Sequence, residues 1–320
     1  MKLSQIAIAA ALALGVTAAQ AATVPINFDP TGNGGASVNL SVNTFDWAPD
    51  STLAKDAVVN GRLAGTFQTY SHAILGTFIP SSTSYPANPT WFTYNAGFQE
   101  TVTSFTGPTY PQTAVFSTTG AGDNFFQIWA HTAAPNQNLG TGYAGTGPGT
   151  NTLILSGTIL PGSLTSYTTF NTTAALMDQH NSDGWGGQQT LSGAGATPNL
   201  SIKINFVDTS YFLTPFSQMV LAGKAGSTTN SSNANPFFNA DPSHGFDSST
   251  GFYCDTQGGV TCPGGSTPFD LGATNGLTGP DFLFQSDASS SFTVPEPASL
   301  ALIGLGLGAL GLARRRKKAD

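Results

Sequence analysis

Apolar residues recur along this chain at every second position in short runs, without the longer 3.6-residue rhythm of an amphipathic helix. The clearest run is Leu200-Ser201-Ile202-Lys203-Ile204-Asn205-Phe206, where Leu200, Ile202, Ile204 and Phe206 face one way and the polar residues the other. It predicts a half-buried antiparallel strand. Val38, Leu40 and Val42 alternate in the same way, and β-branched and aromatic residues mark further strands at 63–70, 74–79, 91–98, 113–117, 125–131, 152–160 and 281–285. Phe216, Met219, Val220 and Leu221 make one more short apolar run. Gly, Pro and Asn clusters punctuate these segments as turns do. Only one short helix is expected, at 174–180. With roughly eight to ten strands, an all-β fold is predicted, and two packed antiparallel sheets in a β-sandwich or jelly roll are the economical arrangement.

Three polar stretches interrupt the pattern. Residues 135–151 are Gly-rich and 224–249 are dominated by Ser, Asn and Thr, and loops of that length are expected to serve function or to lack fixed structure. Residues 286–293 are Ser-rich and read as a spacer that lifts a β-rich domain, 22–285, away from the C-terminal tail.

Both ends of the chain depart from the strand pattern. Residues 1–21 combine Lys2, an apolar core at 6–16 and the small-residue site Ala19-Gln20-Ala21, which together predict a cleaved signal peptide and Ala22 as the first mature residue. At the other end, Pro295-Glu296-Pro297 precedes an uncharged apolar run at 298–313 and then Arg314, Arg315, Arg316, Lys317 and Lys318. As a helix the apolar run covers about 24 Å, enough for a single transmembrane helix. Five cations after it resist translocation, so everything before Val294 is expected outside. Proline holds Glu296 extended, a form suited to a peptidase.

These three ordered features resemble the PEP-CTERM sorting signal of Gram-negative bacteria, here at 294–318. The resemblance implies recognition by an exosortase, removal of the tail, membrane contact before processing, and a cell that makes exopolysaccharide. A second likeness rests on Phe28-Asp29-Pro30-Thr31-Gly32, Phe45-Asp46-Trp47-Ala48-Pro49 and Leu53-Ala54, which look like the flocculation-associated subgroup of such proteins. It implies retention of polysaccharide around aggregating cells. Read without the likeness, the same residues are a turn followed by a strand with a buried tryptophan.

Charge narrows the choice of partner. Between residues 22 and 293 only Lys55, Arg62, Lys203 and Lys224 are basic, against fifteen acids, a formal charge of −11. Such a surface repels phosphate backbones, which excludes nucleic acid and favours neutral glycans or divalent cations. In an oxidising compartment Cys254 and Cys262 are expected to form a local disulfide.

The search for reaction chemistry is largely negative. There is no G-x-S-x-G elbow, H-E-x-x-H pair or phosphate-binding Gly-Lys loop, and Glu100 and Glu296 are the two glutamates of the chain. His72, His131, His180 and His244 are scattered. Asp178 and Asp183 offer oxygen ligands near Gly184 of the kind calcium takes, but lack the spacing of a calcium loop, and a solvated turn is the simpler reading. No other cofactor is expected. Trp185, in Asp183-Gly184-Trp185-Gly186-Gly187, is the candidate sugar-stacking residue, whereas Trp47, Trp91 and Trp129 read as core. The expectation is therefore a non-catalytic, exported matrix protein that promotes floc or biofilm formation. A secreted polysaccharide hydrolase and a structural envelope subunit are the alternatives.

Overall fold

Strands pair mostly with their neighbours in sequence, and that habit builds the architecture. The computed structural model describes residues 24–36, 38–59, 62–80, 90–105, 112–135, 143–145, 148–169, 193–227 and 282–293. Its strands are β1 (Ile26–Phe28), β2 (Leu40–Val42), β3 (Thr44–Lys55), β4 (Val58–Val59), β5 (Arg62–Leu63), β6 (Thr66–Ile79) and β7 (Trp91–Phe105). To these are added β8 (Gln112–Thr118), β9 (Phe125–His131), β10 (Asn151–Ile159), β11 (Leu164–Thr169), β12 (Gly193–Val207), β13 (Gln218–Ser227) and β14 (Phe282–Thr293).

Eight strand positions close into an antiparallel barrel: β3, β6, β7, β8 with β9, β10 with β11, β12, β13, β14, and back to β3. Two of the positions are split. β8 and β9 pair with successive halves of β7, while β11 and β10 pair with successive halves of β12. The sandwich or jelly roll expected from the strand pattern is therefore not formed. Alternation looks the same whether a sheet packs on a second sheet or curls onto itself. What decides is the closing ladder from Phe282↔Ala54 to Ser291↔Thr44. Long strands accumulate twist, and register shifts in β3, β7, β10, β12 and β14 bend the sheet until its edges meet. Pro49, which has no N–H to offer a ladder, falls in the β3 irregularity between Trp47 and Thr52.

The barrel is filled. Phe45 and Trp47, Ala73 and Leu75, Phe92, Tyr94 and Ala96, Phe126 and Ile128, Leu155, Leu200 and Ile202, Met219 and Phe292 belong to one buried cluster drawn from every position of the ring. Trp47 is fully buried at its centre, with the Tyr94 ring 4.9 Å away and its indole N–H donating to Ser290 Oγ at 2.7 Å. Leu200 and Ile202 face inward as the alternation predicts, but Phe206 is 45% exposed. An extra residue on β12, Asn205, between Ser156↔Phe206 and Gly157↔Ile204 turns Phe206 outward and lets Val207 pack on the core instead.

The Ser-rich stretch 286–293 is not a spacer; it is the second half of β14, paired with β13 on one side and β3 on the other. Its serines include interior hydroxyls: Ser290 holds Trp47, and Ser286 shares a hydrogen bond with Thr52. Serine here satisfies buried polar partners, a role composition alone does not separate from that of a linker. Barrel structure thus continues past 285 as far as Thr293. Among the described residues no helix is long and apolar enough to cross a membrane. The helices expected at 174–180 and 298–313 lie outside those residues, as does most of 224–249.

Candidate functional site

One end of the barrel is sealed by aromatic rings, and both chain termini of the domain meet there. β1 pairs with β2 and bridges to the β12–β13 connection through Phe28 and Phe212. Phe28 packs edge-on or tilted against Phe45, Phe78, Phe92 and Phe212, with centroids 5.0 to 5.4 Å apart. Such edge-to-face contacts favour aromatic pairs beyond the area they bury. Phe292, near the end of β14, completes the plug against Phe45 at 5.1 Å and Phe216 at 5.0 Å and has no exposed surface. The Phe292 carbonyl accepts the Val24 N–H at 3.0 Å. The start and the finish of the described domain are hydrogen-bonded to each other.

The turn after β1 is organised by Asp29. Its Oδ1 accepts the Thr31 amide at 2.8 Å and the Thr31 hydroxyl at 2.6 Å, and its Oδ2 accepts the amides of Gly35 at 2.7 Å and Asn33 at 3.1 Å. Burial pushes this carboxyl up, but those four donors outweigh it and hold it below the usual carboxylate value. Gly32 adopts φ +68, and a Cβ there would lie 2.5 Å from the Tyr211 ring, so glycine is required on both counts. The Asp29-to-Gly32 segment is thus a turn, and the Phe45-Asp46-Trp47 segment a core strand, as their bare residue chemistry suggests.

On the outer wall, residues 143–145 strap across β3, β6, β7 and β9. The Tyr143 hydroxyl donates to Asp50 Oδ2 at 2.7 Å, and its carbonyl accepts from Thr93 Oγ1 at 2.8 Å and from Asn95 Nδ2. Beneath it, the His72 ring stacks on the phenol at 3.8 Å, with Nε2 3.5 Å from Asp50 Oδ1. Burial first, and then the Asp50 charge, push the Tyr143 hydroxyl far up, so it stays a donor. His131 lies between Thr93 Oγ1 and Asn151 Oδ1, both at 2.7 Å, and burial lowers its pKa, partly offset by Asn151. An acid beside a histidine is a motif of base catalysis. Here His72 and Tyr143 have no exposed surface and Asp50 only 4%, so what the cluster does is fasten the strap.

A third polar feature lies inside the barrel. Glu100 is buried, accepting from Thr69 Oγ1 at 2.6 Å and from Thr165 Oγ1. Burial pushes its carboxyl up, only partly offset by the Thr165 and Thr69 hydroxyls. The folded state therefore keeps a proton that the unfolded chain releases, and stability falls as pH rises above the ordinary glutamate value. Glu100→Gln should raise the urea midpoint at pH 7 relative to wild type, with the gain shrinking as pH falls through the ordinary carboxylate range. Equal pH slopes for the two proteins would refute the assignment.

The residues singled out in the sequence fall elsewhere. Ala19, Ala21, Ala22, Pro295, Glu296, Pro297, Arg314, Arg315, Arg316, Lys317 and Lys318 lie outside the described residues, as do Cys254, Cys262, Trp185, Asp178 and Asp183. Trp47 and Trp129 are buried, and no group of three or more metal-ligating side chains occurs among the described residues. What the sequence reading missed is the Asp50–His72–Tyr143 cluster. Its members are far apart in sequence, and only the barrel register brings them together.

The barrel's last strand runs directly into a C-terminal stretch that is first apolar and then basic, and the two together define a β-barrel domain with a sorting tail. That tail is the PEP-CTERM protein-sorting motif, whose family model matches residues 293–317. The chain is thus an exported protein, sorted to the cell surface through an exosortase. No curated protein and no solved structure was found to match it.

Proposed function

We propose that this protein is a non-catalytic component of the extracellular polysaccharide matrix of a Gram-negative bacterium, where it promotes cell aggregation. The observation that carries this reading is the sorting motif joined directly to a filled barrel. The motif delivers the domain to the surface. The barrel interior is occupied by its own side chains, which leaves the outer wall and loops for contact. Strands and turns rich in Thr, Ser and Asn present neutral donors and acceptors that match glycan hydroxyls, and Trp185 supplies a stacking face. Each contact is weak; many copies act together by multivalency.

Deleting the gene in the native host should leave polysaccharide synthesis intact and disperse the cells, and the purified mature protein should sediment with the host polymer without shortening it. Normal aggregation in the deletion strain would sink the matrix function. Shortened polymer chains would replace it with a hydrolase.

A further inference from the structure

The sorting motif begins where the barrel ends. β14 runs to Thr293, and the matched segment starts at that same residue, so no linker separates the two. The last residues of β14 are held from several directions. Thr293 is opposite Gln218 and Phe292 opposite Met219, while Ser291 lies between Val220 and Thr44, and Ser290 between Leu221 and Phe45. The Phe292 ring is locked among Phe45, Phe212 and Phe216, and its carbonyl holds Val24.

A peptidase takes its substrate as an extended chain, pairing main-chain groups on both sides of the bond it attacks. In this protein the main-chain groups upstream of Val294 are already engaged in the barrel ladder. We propose that Phe292 is a positioning residue for sorting: while its ring is seated, chain up to Thr293 is withheld from the exosortase, and processing of the folded protein waits on release of the end of β14. This rests on the motif acting as a sorting signal. It adds that the substrate's own fold governs how fast the signal is used. The open form is a local one, far less costly to reach than global unfolding, and cleavage follows its population when opening and closing are fast.

The test tracks conversion of full-length protein to its processed form in the native host, by pulse-chase and intact mass. A Gly-Ser-Gly-Ser insertion between Thr293 and Val294 leaves every barrel residue in place and supplies free chain upstream of the motif. It should speed conversion by at least about fivefold, given that processing tracks an open population. Phe292→Ala adds no length but loosens the anchor, and should speed conversion similarly; Phe292→Leu replaces it if the alanine variant does not fold. Wild-type conversion rates in the insertion variant would overturn the proposal. Faster conversion with the insertion but not with the folded Phe292 variant would also overturn it, leaving simple clearance between barrel and enzyme as the cause. The sorting reading is tested separately by Pro295→Ala with Glu296→Ala. Unchanged processing there would remove that reading, whereas a block there with no effect of the insertion would remove only the lock.

Discussion

Trp47→Ala should destabilise the barrel by about 3–5 kcal/mol, the range for removing a large aromatic from a core that cannot fully collapse. The side chain is fully buried, packs edge-on against Phe45 and Tyr94, and donates to Ser290. Its removal leaves both a cavity and a buried hydroxyl without its donor. For a domain of this size the melting temperature should fall by roughly 10 °C. Trp47→Phe should recover most of the packing but not the Ser290 hydrogen bond, and so fall between. Chemical denaturation of the three proteins measures the series. A loss below about 1 kcal/mol for the alanine variant would mean that the tryptophan does not sit inside a closed ring.

The second large effect is expected at Asp29. Alanine there deprives the amides of Thr31, Asn33 and Gly35 and the Thr31 hydroxyl of their acceptor at once. Stranded donors cost more than an ordinary lost hydrogen bond, and a loss of about 2–4 kcal/mol is expected. Asp29→Asn keeps the shape but removes the charge. Because the folded carboxyl lies below the usual value, its contribution is fully present above the ordinary carboxylate range and lost as pH falls through the folded value. The stability gap between wild type and Asp29→Asn should therefore be wide at pH 7 and narrow steadily in acid. A gap independent of pH would show that shape, not charge, organises the turn.

Strand identity was largely legible because alternation is a local property: β9 at Phe125–His131 coincides with its apolar run, and Leu200 and Ile202 point inward as spaced. Closure was not legible. A barrel and a sandwich share the same period, and the difference lies in the pairing of β14 with β3, whose residues are separated by most of the chain. Ser286 and Ser290 illustrate the same limit at the scale of single residues. Serine in a linker and serine facing a buried indole have one composition and two environments. The sorting tail was legible because its parts are contiguous and their order carries the chemistry, which matches at 293–317. The Asp50–His72–Tyr143 cluster had no such signal, since its contacts exist only after β3 and β6 are in register.

The meander also bears on the moment of export. Chain leaves a translocation channel from its N-terminus, so β3 emerges early and has β6 as its first partner. Its other side waits for β14, which comes last. Until Thr293 is out, the growing sheet carries two bare edges, the outer side of β3 and whichever strand has just appeared. Both expose unpaired N–H and C=O groups able to template pairing with a neighbouring chain. Crowded secretion should therefore expose this protein to self-association at that stage, a hazard that ends when the last twelve residues of the barrel dock.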